Sequence, residues 1–147
     1  MDTMLATNGD AQLVLKLYEL RTEEQMRAAR KWVTTEFWPS SAQDVLSVLH
    51  AADTQENAYL RQVTSYWEMA AALVLHGALD ADLFIACNAE NLFILAKLHP
   101  FLKEIRVELP RFLVRTEELA NRFGEARQRL QAMILKQEAR RAEAAKG

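Results

Sequence analysis

The 147-residue sequence predicts an all-α, single-domain bundle of about six or seven helices that ends in a long C-terminal helix. Three features point that way. Gly and Pro number only 4 and 3, far below their usual share of roughly 12%, so the turns that a sandwich or barrel needs are missing. Half of the residues are apolar, and they recur at spacings of three and four rather than two. A chain of this length buries about two thirds of its unfolded surface, which suits one self-sufficient core better than two.

Asp10, following Gly9, is suited to cap a first helix carrying Leu13, Val14, Leu17, Tyr18 and Leu20. Thr22 and Gln25 have the spacing of a capping box, and the helix they open runs through Met26, Ala29, Val33 and Phe37 until Pro39 stops it. Ser41 restarts the chain as a short helix over residues 42–50. Asp53 or Thr54 opens the clearest stripe of the central region (Tyr59, Val63, Tyr66, Trp67, Ala70, Leu73 and Val74), which Gly77 terminates. Asp80 caps a helix that is apolar on nearly every side from Leu83 to Leu95 and therefore belongs in the middle of the bundle. Pro100 kinks that helix or opens a successor reaching about Leu109. Pro110 starts a final helical region to about Ala144, with Phe112, Leu119, Phe123, Ala126, Leu130 and Met133 on its stripe and a gap around Thr116. The termini, 1–9 and 137–147, are expected to fray.

The first ten residues carry no Lys or Arg and no apolar run, unlike a secretory signal. The apolar stretches 69–79 and 83–96 are interrupted by His76, Asn88, Glu90 and Asn91, and fall short of a bilayer span. The single Cys87 forms no intrachain disulfide and fits a reducing compartment. A cytoplasmic protein with no membrane segment is the expectation. Residues 1–110 hold 9 Lys/Arg against 15 Asp/Glu, and residues 111–147 hold 9 against 5. The basic tail is broken by Glu117, Glu118, Glu125, Glu138 and Glu143 and has no aromatic residue beyond Phe123, which argues against nucleic-acid binding.

Catalytic signatures are scarce. There is no nucleophile elbow, phosphate-cradling glycine loop or paired-histidine zinc helix. His50, His76 and His99 lie far apart, and Asp80-Ala-Asp82 lacks the Gly and Glu of a calcium loop because Ile85 and Asn91 stand in their places. No cofactor or metal is expected. Cys87, two turns into an apolar helix, is expected to be buried and inert.

The informative anomalies are polar residues among apolar ones. Arg61 and Glu68 lie two turns apart on one face, Asn88 and Asn91 share a face of the most apolar helix, and Arg106 follows the Pro100 break. A buried carboxylate needs a partner, so Glu68 is expected to pair with Arg61, Arg106 or an Asn amide. Two readings follow: a hydrogen-bonded network inside a helical core, or a polar pocket with Glu68 as acid/base and Arg106 as anion clamp. Trp32 and Trp38 are candidate interface anchors, as is the C-terminal stripe of Leu119, Phe123, Leu130 and Met133, which needs either its own bundle or a second copy to cover it.

Trp67-Glu68, Leu73-Val74, the run Gly77-x-Leu79-Asp80-x-Asp82-Leu83-Phe84, Pro100 and Arg106 together resemble an uncharacterised bacterial family of all-helical domains of unknown function, over roughly residues 10–110. The resemblance implies an α-helical cytoplasmic fold and a structural place for Glu68 and Arg106, and it supplies no substrate. The reading is a non-enzymatic interaction or scaffold module that self-associates or binds a protein partner. The alternatives are a small-ligand-binding protein or enzyme centred on Glu68, or weak nucleic-acid binding by the basic C-terminal helix.

Overall fold

The computed structural model describes residues 5–147, and every regular element among them is helical. Thr7 starts α1 (Asn8–Arg21) by accepting the Asp10 N–H at 3.1 Å, while Asp10 takes the Thr7 N–H at 2.7 Å. Asp10 is thus the third residue of a capping box and not the cap itself. Glu23, not Thr22, caps α2 (Glu24–Lys31), because the Thr22 hydroxyl and N–H both turn back to the Glu19 carbonyl and close α1. Ser41 and Thr54 cap α3 (Ala42–His50) and α4 (Gln55–Leu75). Gly77, at φ +81°, ends α4 in a Schellman turn, with Ala78 N–H on the Leu73 carbonyl and Gly77 N–H on that of Val74.

Two expected helices are each divided. The helix that Asp80 caps stops as α5 (Ala81–Cys87), because Asn88 is extended and its amide donates to the Phe84 carbonyl at 2.9 Å. The chain then restarts as α6 (Glu90–Leu98). Asn88 and Asn91 therefore do not share a helix face, and Cys87, at the end of α5, is exposed instead of buried. A 3-10 turn, His99–Phe101, carries Pro100 into α7 (Leu102–Glu108). The last region breaks at the extended Phe123 into α8 (Val114–Arg122) and α9 (Gly124–Lys146). Helix α9 continues through the segment expected to fray.

Helix α6 lies where its composition demands, against α8 and α9, with Leu92, Ile94, Leu95, Ala96 and Leu98 all buried. Helix α4 runs beside α2, α3 and α8, and its Trp67 fills the core while its indole N–H donates to Glu90 at 3.1 Å. Ala126, Leu130 and Gln137 of α9 are buried, and Arg129 donates to the Ile85 carbonyl at 2.8 Å, closing the exposed end of α5.

The turn between α2 and Pro39 is a π-helix, Trp32–Glu36, in which Phe37 N–H reaches the Trp32 carbonyl. That register leaves the Val33 carbonyl without its usual partner, and Pro39 has no N–H to offer Thr35. Side chains fill both places. The Trp38 indole donates to the Thr35 carbonyl at 3.0 Å. The ammonium of Lys97, a residue 3% exposed, donates to the carbonyls of Val33 and of Phe37, the latter at 2.8 Å. Lys97 also lies 4.1 Å from the Trp38 ring centre, and the Arg140 guanidinium lies 3.4 Å from the same centre, which fastens the far half of α9 to the π-turn.

Burial, reinforced by the charge of Arg140, lowers the Lys97 amine from 10.5 to about 8. The unfolded chain keeps that proton to higher pH, so from about pH 8 upward it binds more protons than the folded chain and stability rises with pH. The rise ends near pH 10, because burial raises the Tyr66 phenol and the folded chain then holds a proton that the unfolded chain has shed. Urea unfolding across this window should show increasing stability for the native sequence and a flatter profile for Lys97→Met. An equal slope in both would remove Lys97 as the cause.

Candidate functional site

The link from α7 to α8 has an unusual start. Leu113, buried at 2% exposure, sits at φ +55° and ψ 22°, a left-handed conformation that costs a non-glycine residue about 1–2 kcal/mol. Its side chain provides no cap, so the first N–H groups of α8 need a partner from elsewhere. Glu68 supplies it from α4. The Arg115 and Thr116 N–H groups donate to its two oxygens at 3.1 and 2.7 Å, and the Thr116 hydroxyl donates at 2.6 Å. A carboxylate placed there also meets the positive end of the α8 dipole. From the other side, Arg106 donates to the Phe112 carbonyl at 2.9 Å and to Glu117 at 2.8 Å, holding the left-handed turn against α7.

The expected partners of Glu68 are therefore replaced. Arg61, Arg106 and the Asn amides are not bonded to it, and a helix end with one buried threonine is. The five polar candidates do not converge. Arg61 and Glu68 line one cleft, Asn88 closes α5, Asn91 is buried with its side-chain oxygen unbonded, and Arg106 is tied to α8. The interface candidates are also largely internal. Leu119 and Leu130 are in the core, with Phe123 and Met133 half-buried against it. Trp32 stacks on Phe37 at 4.7 Å, and Trp38 is occupied by Lys97 and Arg140. The stripe on the last two helices is covered by its own bundle.

Around Glu68 the structure opens a cleft of about 330 Å³ between α4 and the start of α8. Arg61, Thr64 and Ser65 form one wall, and Arg111, Phe112 and Arg115 form the other. Its charge is unbalanced. Arg30, Arg106, Arg122 and Arg129 each meet a glutamate within 3.0 Å, whereas among the described residues no carboxylate lies within ion-pair reach of Arg61, Arg111 or Arg115. Arg111 and Arg115 also border a second cleft of about 440 Å³, with His76, Val114 and Arg122.

Residues 6–123 match the model of a family described as a domain of unknown function, DUF4760. The chain belongs to that family. Neither a curated protein nor a solved structure matches it. The DUF4760 residues end at Phe123, the break between α8 and α9, so Glu68, Arg106 and the arginine cleft all lie within the family match and α9 lies outside it. No helix among the described residues is long and apolar enough to cross a membrane.

Sequence reasoning did not single out Thr116, Arg111, Arg115 or Lys97. The gap in the apolar stripe at Thr116 was the available signal, since a threonine 1% exposed on a core stripe needs a buried acceptor. Glu68→Gln places an NH2 group among three donors and should cost roughly 1–3 kcal/mol in urea unfolding. Thr116→Ala should cost about 1 kcal/mol, and the double variant less than the two combined. Strict additivity would show that the two residues do not share a network.

Proposed function

We propose that this DUF4760 domain is a non-enzymatic interaction module that holds a protein partner on the face formed by α4 and the start of α8. The observation that carries this reading is the commitment of Glu68. The carboxylate best placed for acid/base work uses both oxygens on the frame of the fold, while among the described residues the arginines beside it have no ion-pair partner. A catalytic carboxylate is held free for its substrate, whereas three of the roughly four lone-pair sites of Glu68 are taken by donors at the start of α8. Covering of the C-terminal stripe by the chain's own core also removes the reason for a second copy to pair there, so the partner in this reading is a different protein.

The test is a thermal-shift series over phosphates, nucleotides, amino acids and organic acids, run on the native sequence and on Glu68→Gln. The proposal expects Glu68→Gln to lower Tm by several degrees and expects no compound to raise the Tm of either protein saturably. A compound that stabilises the native chain and loses its effect in a folded Glu68→Gln variant would overturn the reading in favour of an enzyme or small-ligand receptor.

A further inference from the structure

On the other side of α4 from the arginine cleft lies a groove of about 430 Å³ lined mainly by Leu20, Met26, Tyr66 and Met69. Leu20 and Met69 are 42% and 48% exposed, so their apolar surface faces water. Two of its seven lining residues are methionines, whose flexible thioethers adapt to varied apolar shapes, and the others include Gln62 and Glu23, whose carboxylate accepts the Gln25 and Met26 N–H groups as the cap of α2. Ser65 borders both the groove and the arginine cleft. It is small and exposed, and its hydroxyl turns back to the Gln62 carbonyl at 3.2 Å, so no bulky side chain stands at Ser65 between the two.

We infer that this face is a docking surface for an acidic amphipathic segment of another protein, crossing α4 over Ser65. Its apolar side chains enter the groove and its carboxylates meet Arg61, Arg111 and Arg115. The inference rests on the interaction-module reading and adds the chemistry of the partner. Charge complementarity carries it. Three arginines line the cleft with no carboxylate in ion-pair reach among the described residues, and the single negative charge lining it, Glu68, is bonded to the start of α8. Guanidinium groups suit carboxylates through paired N–H donors. The adjoining groove is mainly apolar and carries one carboxylate, Glu23, so a ligand that is anionic along its whole length, such as a nucleic acid, would leave half of the surface unused. A segment with an apolar face beside an acidic one uses both halves, in the manner of a helix laid in a groove.

The test is selection of random peptides displayed on phage against the full chain, followed by fluorescence anisotropy of the winners. Binding is compared for the native sequence, Arg61→Glu/Arg111→Glu, Met69→Glu and Ser65→Trp, with a single-stranded dT oligonucleotide as a separate probe. The selected peptides are expected to be net acidic with apolar residues at spacings of three and four. Each variant should weaken them about tenfold or more. Ser65→Trp changes no charge and removes no apolar lining residue but adds bulk where the groove and the cleft meet, so its effect reads the crossing itself. Should a variant unfold, Arg111→Ala, at an exposed position outside any helix, serves in its place. Neutral or basic winners, winners indifferent to these variants, or preferential binding of the oligonucleotide would overturn the acidic partner and leave the interaction-module reading standing. A selection that enriches nothing would overturn both.

Discussion

The joint between α4 and α8 is made by one carboxylate reaching a helix end that has no cap of its own. Glu68 is 47 and 48 residues away in sequence from the two N–H groups it accepts, so the contact exists only when the bundle has closed. The joint has a cost on one side and a gain on the other. Leu113 is forced into a left-handed conformation because its side chain is needed in the core and the chain must turn sharply there. Glu68 and Arg106 offset that strain with charge-assisted hydrogen bonds, the first to the donors at the start of α8 and the second to the carbonyl just before it and to Glu117. Opposite charges are thus matched to opposite ends of the peptide dipoles at a single turn.

The same joint shapes the surface. By fixing the start of α8 against α4, it brings Arg111 and Arg115 across from Arg61 and opens a cleft between them. The remaining face of α4 meets α1 and α2 along a shallow apolar groove. Helix α9, which lies beyond the family match, packs on α6 and α8 and fastens itself to Trp38 through Arg140. Framework and surface are therefore divided along the molecule: hydrogen-bonded, half-buried charge holds the helices, and Arg61 and Arg111 are exposed on the cleft.

Helix chemistry that is local was largely legible in the sequence, although Thr7 and Glu23 take the capping places expected of Asp10 and Thr22. Ser41, Asp80 and Gly77 act as expected because a cap or a terminator needs only its neighbours within four residues. The run from Leu83 to Leu95, expected as one central helix, is central in its second part, α6, whereas α5 ends exposed at Cys87. The breaks at Asn88 and Phe123 were not legible, since nothing nearby forbids a helix there. At Asn88 the side-chain amide takes the Phe84 carbonyl, and Arg129 reaches over from α9 to take that of Ile85. The candidate site was half legible. Glu68 stood out as a charge among apolar residues, but its partner is a backbone end, which leaves no trace in residue types other than the threonine that interrupts the stripe. Lys97 escaped notice because its acceptors are two carbonyls exposed by a π-turn that periodicity does not reveal.

Amide hydrogen exchange at Arg115 and Thr116 tests the central claim most directly. The first N–H groups of a helix have no intrahelical acceptor and ordinarily exchange quickly. If Glu68 holds the start of α8 as described, both amides exchange as slowly as that of Leu119 in the buried part of the same helix, and all three open together. Rapid exchange at Arg115 and Thr116 alongside a protected Leu119 would show a frayed helix start, and the joint would not be what secures α8 to α4.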